Sequence, residues 1–203
     1  LAKQRDPKLT TVFGGPNYSN QIEEQEFFLK EHPSIDFYII EEGEIPFLNL
    51  FNELKAFHFN VKDFVESGGT LPNTHYYKND QLVRGDLGRR IKDLSIIPSP
   101  ILTGLLDKFI YGDYIPMVQT NRGCPYSCTF CHDGTRYQNK IGRFPKEIYE
   151  KEFIYIAERT TVPHVCIPDL NFGIFEEDYE TAAFITQLRE KYSWPKTVDV
   201  TAA

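Results

Sequence analysis

At 203 residues the chain has room for one large domain or two small ones. Its 41% hydrophobic and 25% charged residues are the composition of a soluble globular protein, and no apolar run approaches the ~20 residues that cross a bilayer. A formal net charge of -7 argues against binding duplex nucleic acid, which takes a basic face to displace counterions. Leu1 to Pro7 is too polar for the apolar core of a signal peptide, so the chain reads as cytoplasmic. Its start at Leu1 in place of Met points to natural sequence upstream.

In chain order, Leu9 to Phe13 is a short β-branched and apolar run stopping at Gly14-Gly15-Pro16. Asn20 is placed to cap a helix, with Glu23 completing a capping box. Phe27 and Phe28 give that helix an apolar side before Pro33 ends it. Ile35 to Ile40 is nearly continuous apolar sequence, as in a strand covered on both faces. After the turn Glu41-Glu42-Gly43-Glu44, Pro46 suits a first helical turn, and Phe47, Leu50, Phe51 and Leu54 repeat at helical spacing. This is the strand–helix rhythm of a doubly wound α/β sheet, with too few units to close a stable sheet alone.

From about Val61 the rhythm changes. Thr74 to Arg84 reads as a hairpin turning at Asn79-Asp80. Ser95 to Asp113 is a connector too rich in aliphatic residues to stay solvated, and is expected to pack against something. Met117 to Thr120 then predicts a strand, followed at once by a cysteine-rich loop. Pro145 opens a helix striped by Ile148, Tyr149, Phe153, Ile156 and Ala157. His164 to Pro168 is the next strand, Ala182, Ile185, Leu188 and Tyr192 mark another helix, and Val198 to Val200 begins a third strand. Three strands cover two helices poorly, so a larger sheet or barrel is expected to continue past Ala203. The sequence holds no internal repeat or low-complexity tract.

Three of the four cysteines, Cys124, Cys128 and Cys131, fall within eight positions. A disulfide framework would spread them; clustering points to metal or redox chemistry. Cys166, alone in an apolar strand, reads as a core thiol. A four-iron cubane usually takes four thiolates. A CxxxCxxC loop with no nearby fourth supplies three, leaving one iron open to a small molecule. The loop also follows a strand, where parallel barrels build their sites. Zinc is the competing metal, with His132 as a fourth ligand; but His132 adjoins Cys131, and adjacent side chains rarely converge on one small ion. Arg136, Lys140, Arg143 and Lys146 follow closely. They read either as a solvated surface or as a clamp for an anionic substrate or cofactor carboxylate.

The CxxxCxxC loop with Phe130 before its last cysteine resembles the signature of the radical S-adenosylmethionine superfamily, and the words QTNRGCPYSCTFC resemble its branch with an N-terminal cobalamin-binding domain. Gly14-Gly15-Pro16 and Glu42-Gly43-Glu44 resemble turns that surround the corrin and its nucleotide tail. Asp169-Leu170-Asn171-Phe172-Gly173 resembles the acidic segment closing the second barrel strand. The family's Asp-x-His-x-x-Gly segment does not occur; it is expected upstream of Leu1, leaving about half a cobalamin pocket here.

The resemblance implies an α/β chain: the C-terminal part of a Rossmann-like cobalamin-binding domain over residues 1–60, a connector with hairpin over 61–113, and the N-terminal part of a (β/α) partial TIM barrel over 114–203. It implies a [4Fe–4S] cluster on Cys124, Cys128 and Cys131, S-adenosylmethionine near Phe130 and Asn171, cobalamin near Gly14, Gly15 and Gly43, and Asp169 as the catalytic residue. It implies a 5′-deoxyadenosyl radical that takes a hydrogen atom from a small-molecule substrate, with methylation of an unactivated carbon as one outcome and ring formation or rearrangement as others. An electron donor such as flavodoxin or ferredoxin is the expected partner, with no nucleic acid or membrane. Two other classes stay open: a cluster-binding electron-transfer or sensing protein, and a zinc-binding interaction module.

Overall fold

A computed structural model of the chain describes residues 2–15 and 17–202, with only the backbone of His132 and Ala202. The chain divides between Arg90 and Ile91 into two compact units.

The first unit runs α1 (Ala2–Arg5), β1 (Val12–Gly14), α2 (Ile22–Glu31), β2 (Phe37–Ile39), α3 (Glu44–Ala56), α4 (Val61–Ser67), β3 (Thr74–Lys78) and β4 (Gln81–Arg84). Its sheet has the order β1-β2-β3-β4. β1 and β2 are parallel, with Val12 opposite Phe37; β3 is antiparallel to β2, with His75 opposite Tyr38. All three residues of β2 are buried, because alternate side chains enter cores on opposite faces. Phe37 and Ile39 pack with Leu50 and Leu54 of α3, Phe64 of α4 and Tyr76. Tyr38 packs on the other side with Tyr18, Leu29 of α2 and Ile35. The hairpin turns at Asn79-Asp80, both at positive φ (49° and 57°), as a tight turn matched to strand twist requires.

Several local expectations are corrected. The hairpin, assigned from sequence to a separate connector, extends the first sheet. Asn20 does not cap α2: the N-cap position is Gln21, without a side-chain cap. Instead Ser19 Oγ accepts from the Gln21 N–H (3.1 Å), and Gln25 Nε2 reaches back to the Ser19 carbonyl (2.7 Å). On α3, Leu50 and Leu54 are buried, whereas Phe47 and Phe51 are exposed; the apolar stripe is wider than the face that packs.

The second unit contains α5 (Asp107–Ile110), β5 (Asn121–Arg122), β6 (Gly142–Arg143), α6 (Lys146–Ala157), β7 (His164–Phe172), α7 (Glu176–Tyr192) and β8 (Thr197–Ala202). β7 and β8 are parallel. The segment expected as a strand at 117–120 joins β7 through a single parallel bridge, Met117 to Cys166. There the Val118 N–H donates to the Cys166 carbonyl (3.0 Å) and the Cys166 N–H to the Pro116 carbonyl (2.9 Å). Val118, Val165 and Ile167 form one core with Tyr149, Phe153 and Ile156 of α6 and Ile185 and Leu188 of α7. Ile101 and Ile110 join that core, which accounts for the aliphatic content of the connector. Cys166 is half-buried, and burial, with Asp199 and Asp169 nearby, raises its thiol pKa. No helix among the described residues is long and apolar enough to cross a membrane.

Candidate metal centre

The root of the cysteine loop is fixed by a buried carboxylate. Asp169, on β7, is 1% exposed. One oxygen accepts from the backbone N–H groups of Thr120 (3.0 Å) and Asn121 (3.3 Å). The other accepts from the Thr120 hydroxyl and from Asn121 Nδ2 (3.0 Å). Burial holds the Asp169 carboxyl above the usual carboxylate range, and the hydrogen bonds from Thr120 and Asn121 oppose that shift. Asp169, the catalytic candidate expected to face S-adenosylmethionine or the substrate, is a carboxylate with both oxygens engaged within the protein. Its observed work is to tie the end of the 117–120 segment to β7.

Beyond Asn121 the chain leaves and returns through an antiparallel pair, with Asn121 opposite Arg143 and Arg122 opposite Gly142. The Cys124 N–H donates to the Gln138 carbonyl (3.1 Å), and the Phe144 N–H to the Thr120 carbonyl (3.0 Å). These bonds close residues 123–141 into a loop with a fixed base. Inside it the Cys131 N–H donates to the Cys128 carbonyl (3.2 Å) and the Gly134 N–H to the Cys131 carbonyl (3.2 Å). Gly134 lies so close to Cys128 that a Cβ on it would come within 2.3 Å of the Cys128 carbonyl oxygen. Asn139 Nδ2 donates to Ser127 Oγ (3.3 Å).

All three loop cysteines are free thiols; Cys128 and Cys131 are exposed and Cys124 is half-buried. Asn171 donates through Nδ2 to Cys124 Sγ at 3.0 Å. Phe130 is 91% exposed. Among the described residues no three Cys, His, Asp or Glu side chains converge on one metal position; the His132 side chain, weighed above as a zinc ligand, lies outside the described atoms. Among the basic residues after the cysteines, Arg143 pairs with Glu177 (3.1 Å) and lies over the Phe175 ring (4.5 Å), and Lys146 pairs with Glu180 (2.6 Å). Both ties run to α7 or the residue before it.

In the first unit the predicted cofactor turns lie at the carboxyl ends of β1 and β2, where parallel α/β sheets place ligands. Gly14 ends β1. Gly15, at φ +107°, has open space where a Cβ would stand, and its carbonyl accepts from the Tyr38 hydroxyl (3.1 Å). Pro16 lies outside the described residues. Gly43 is the N-cap of α3 and also borders open space. The loop before it is held by Glu42, whose Oε1 accepts from both Nε and a terminal nitrogen of Arg90 (3.0 Å each). Gln138 and Arg90 carry no local sequence signal, because their partners lie 14 and 48 residues away.

No protein-family model matches the chain. It is 30% identical over 209 residues to the cobalamin-dependent radical SAM methyltransferase TokK of Streptomyces tokunonensis, a match covering 100% of this chain and 29% of that protein. It is likewise 30% identical over 209 residues to the 2-(S-pantetheinyl)-carbapenam-3-carboxylate methyltransferase of Streptantibioticus cattleyicolor, with the same coverage. The chain is a homologue of cobalamin-dependent radical SAM methyltransferases. It spans 29% of the length of these curated relatives. Its fold matches the cobalamin-dependent S-adenosylmethionine radical enzyme OxsB, solved with aqua-cobalamin bound, with a TM-score of 0.59 and 19% identity over 98% of this chain and 26% of that one.

For an iron–sulfur cluster the donor set fits: three soft, unpaired thiols on one loop, its base closed by hydrogen bonds, with an N–H already directed at one sulfur. For a corrin tail the fitting feature is the pair of glycines, Gly15 and Gly43, that leave open space beside adjacent strand ends.

Proposed function

We propose that this chain is the cluster-bearing segment of a cobalamin-dependent radical S-adenosylmethionine methyltransferase. The observation that carries the reading is the loop of three free cysteines, closed between β5 and β6 and rooted on Asp169, in a chain homologous to such methyltransferases over its whole length. When bound, a reduced [4Fe–4S] cluster with S-adenosylmethionine supplies a carbon radical able to take hydrogen from an unactivated carbon, and cobalamin supplies the methyl group.

The chain's own residues hold and orient. Cys124, Cys128 and Cys131 provide three thiolates and leave the fourth iron for the amino and carboxylate groups of S-adenosylmethionine. Exposed Phe130 stands beside Cys131 to border the adenine. Asp169 does not touch the reaction; it keeps Thr120 and Asn121, and with them the start of the loop, at a fixed place on β7. In this reading the first unit is the remaining half of the cobalamin pocket, with Gly14, Gly15 and Gly43 admitting the tail by close backbone approach. The second unit is the opening part of the barrel. A flavodoxin or ferredoxin serves as electron donor, and the protein works on a small molecule in the cytoplasm.

The test is anaerobic reconstitution of the full-length protein with iron and sulfide, then reduction with S-adenosylmethionine present. The reading expects about four irons per protein and release of 5′-deoxyadenosine, both lost in Cys124→Ala, Cys128→Ala or Cys131→Ala. A colourless protein holding zinc would establish the interaction-module class. A cluster with a fourth side-chain ligand and no 5′-deoxyadenosine would establish the electron-transfer class.

A further inference from the structure

We infer that Asn171 is a positioning residue for Cys124, and that its amide N–H on the sulfur raises the reduction potential of the iron–sulfur group held there. The inference rests on the cluster reading above. Asp169 and Asn171 are two residues apart on β7 and both reach the same neighbouring segment: Asp169 takes Thr120 and Asn121, and Asn171 takes Cys124. The paired ties fix the loop at its root and again at its first cysteine. Cys128 and Cys131, by contrast, are exposed. Cys124 is therefore the ligand set in place before metal arrives, and the other two complete the set as iron binds.

A sulfur acceptor 3.0 Å from an amide nitrogen is within hydrogen-bond reach. The bond strengthens when the sulfur is a thiolate, because charge on the acceptor roughly doubles a neutral bond. One-electron reduction of the cluster adds negative charge that spreads onto its sulfurs. A fixed N–H dipole stabilises that charge, so the reduced form gains more than the oxidised form. Hydrogen bonds to the sulfurs are among the levers that set such potentials. Asn171, expected from sequence to meet S-adenosylmethionine, acts in this account through Cys124.

The experiment compares the reconstituted full-length protein with its Asn171→Leu variant, which keeps approximate size and loses the donor. Each is titrated anaerobically with titanium(III) citrate and redox mediators, without S-adenosylmethionine, and the reduced cluster is followed by electron paramagnetic resonance. The expected result is a more negative midpoint, with the reduced-to-oxidised ratio at a fixed potential falling about tenfold, equivalent to ~59 mV for one electron. Should Asn171→Leu fail to fold, Asn171→Asp keeps the shape, removes the donor and adds charge, and its midpoint is expected to fall further. An unchanged midpoint in a fully loaded variant overturns the inference and leaves the cluster reading standing. So does weaker S-adenosylmethionine binding with the substrate-free midpoint unmoved, which would return Asn171 to direct cofactor contact. A wild-type protein that takes up no iron overturns the cluster reading itself, and the inference with it.

Discussion

Asp169 accepts hydrogen bonds from both the backbone N–H and the hydroxyl of Thr120, 49 residues earlier in the chain. The segment that ends at Thr120 shares only one parallel bridge with β7, so backbone pairing alone joins the two weakly. The buried carboxylate supplies what the short ladder lacks, at the point where the chain leaves the sheet to form the cysteine loop. Structural integrity of the seam and placement of the loop therefore depend on the same side chain.

Replacing Asp169 by Ala leaves the N–H groups of Thr120 and Asn121 and the Asn121 amide without their acceptor in a buried place. Each such loss costs about 1–3 kcal/mol, and with partial relaxation the second unit is expected to lose roughly 3 kcal/mol. Asp169→Asn keeps one acceptor oxygen and should lose less. The single tryptophan, Trp194, is buried in the second unit's core and donates to the Val162 carbonyl. Its fluorescence in a urea titration reports this unit. A midpoint unchanged in Asp169→Ala would show that the seam is held otherwise.

The Glu42–Arg90 pair makes a similar prediction for the first unit. Both side chains are nearly buried, at 9% and 11% exposure. Removing the Glu42 charge takes one partner from a nearly buried guanidinium, a change that costs up to about 3–5 kcal/mol in buried pairs. Glu42→Gln is expected to destabilise the first unit by roughly 3 kcal/mol and to speed amide hydrogen exchange in the segment around Gly43. Exchange confined to its wild-type rate there would contradict it.

The general layout was legible in the sequence because it rests on local signals. The strand–helix rhythm follows from hydrophobic spacing, Asn79-Asp80 marks its turn by chemistry, and Pro145 opens α6 as a residue without an N–H should. The cysteine spacing named the loop. Other features depend on distant partners. Nothing near Asp169 in sequence reveals Thr120, so its hydrogen bonds to the start of the loop could not be read there. The hairpin's pattern shows that it is a hairpin but not that β2 is its neighbour. Periodicity on α3 marks Phe47 and Phe51 as apolar, yet only contact decides which part of an apolar stripe is covered.

His75 gives the first unit a pH-dependent stability. Its ring is fully buried; Nδ1 lies 3.4 Å from the Tyr18 hydroxyl, and Nε2 has no hydrogen-bond partner among the described residues. Burial, and then the Arg84 charge, lower its pKa from 6.5 to about 4. The unfolded chain takes up a proton near pH 6.5 while the folded one does not until about 4. Stability is therefore full above pH 6.5 and falls as pH drops toward 4, by about 3 kcal/mol across that window. His75→Phe removes the titrating group and should flatten the curve, as read by hydrogen exchange of β2 and β3 at pH 7, 5.5 and 4.5. An equal slope in wild type and variant would assign the loss to other groups.

Gly134 tests the loop's internal packing separately from its root. Its backbone passes so near Cys128 that an added methyl group would stand 2.3 Å from the carbonyl oxygen and 3.0 Å from the nitrogen of that residue. Both are main-chain atoms, so relief must come from moving the backbone of Cys128 itself. The same carbonyl accepts from the Cys131 N–H, and displacing it loosens the turn that sets Cys131 relative to Cys128. Gly134→Ala is thus expected to leave the second unit's Trp194-reported unfolding within about 1 kcal/mol of wild type, since the loop lies outside the core, while lowering iron uptake on reconstitution by more than half. Normal iron content in Gly134→Ala would mean that the close approach of these two backbones is not needed to bring the cysteines together.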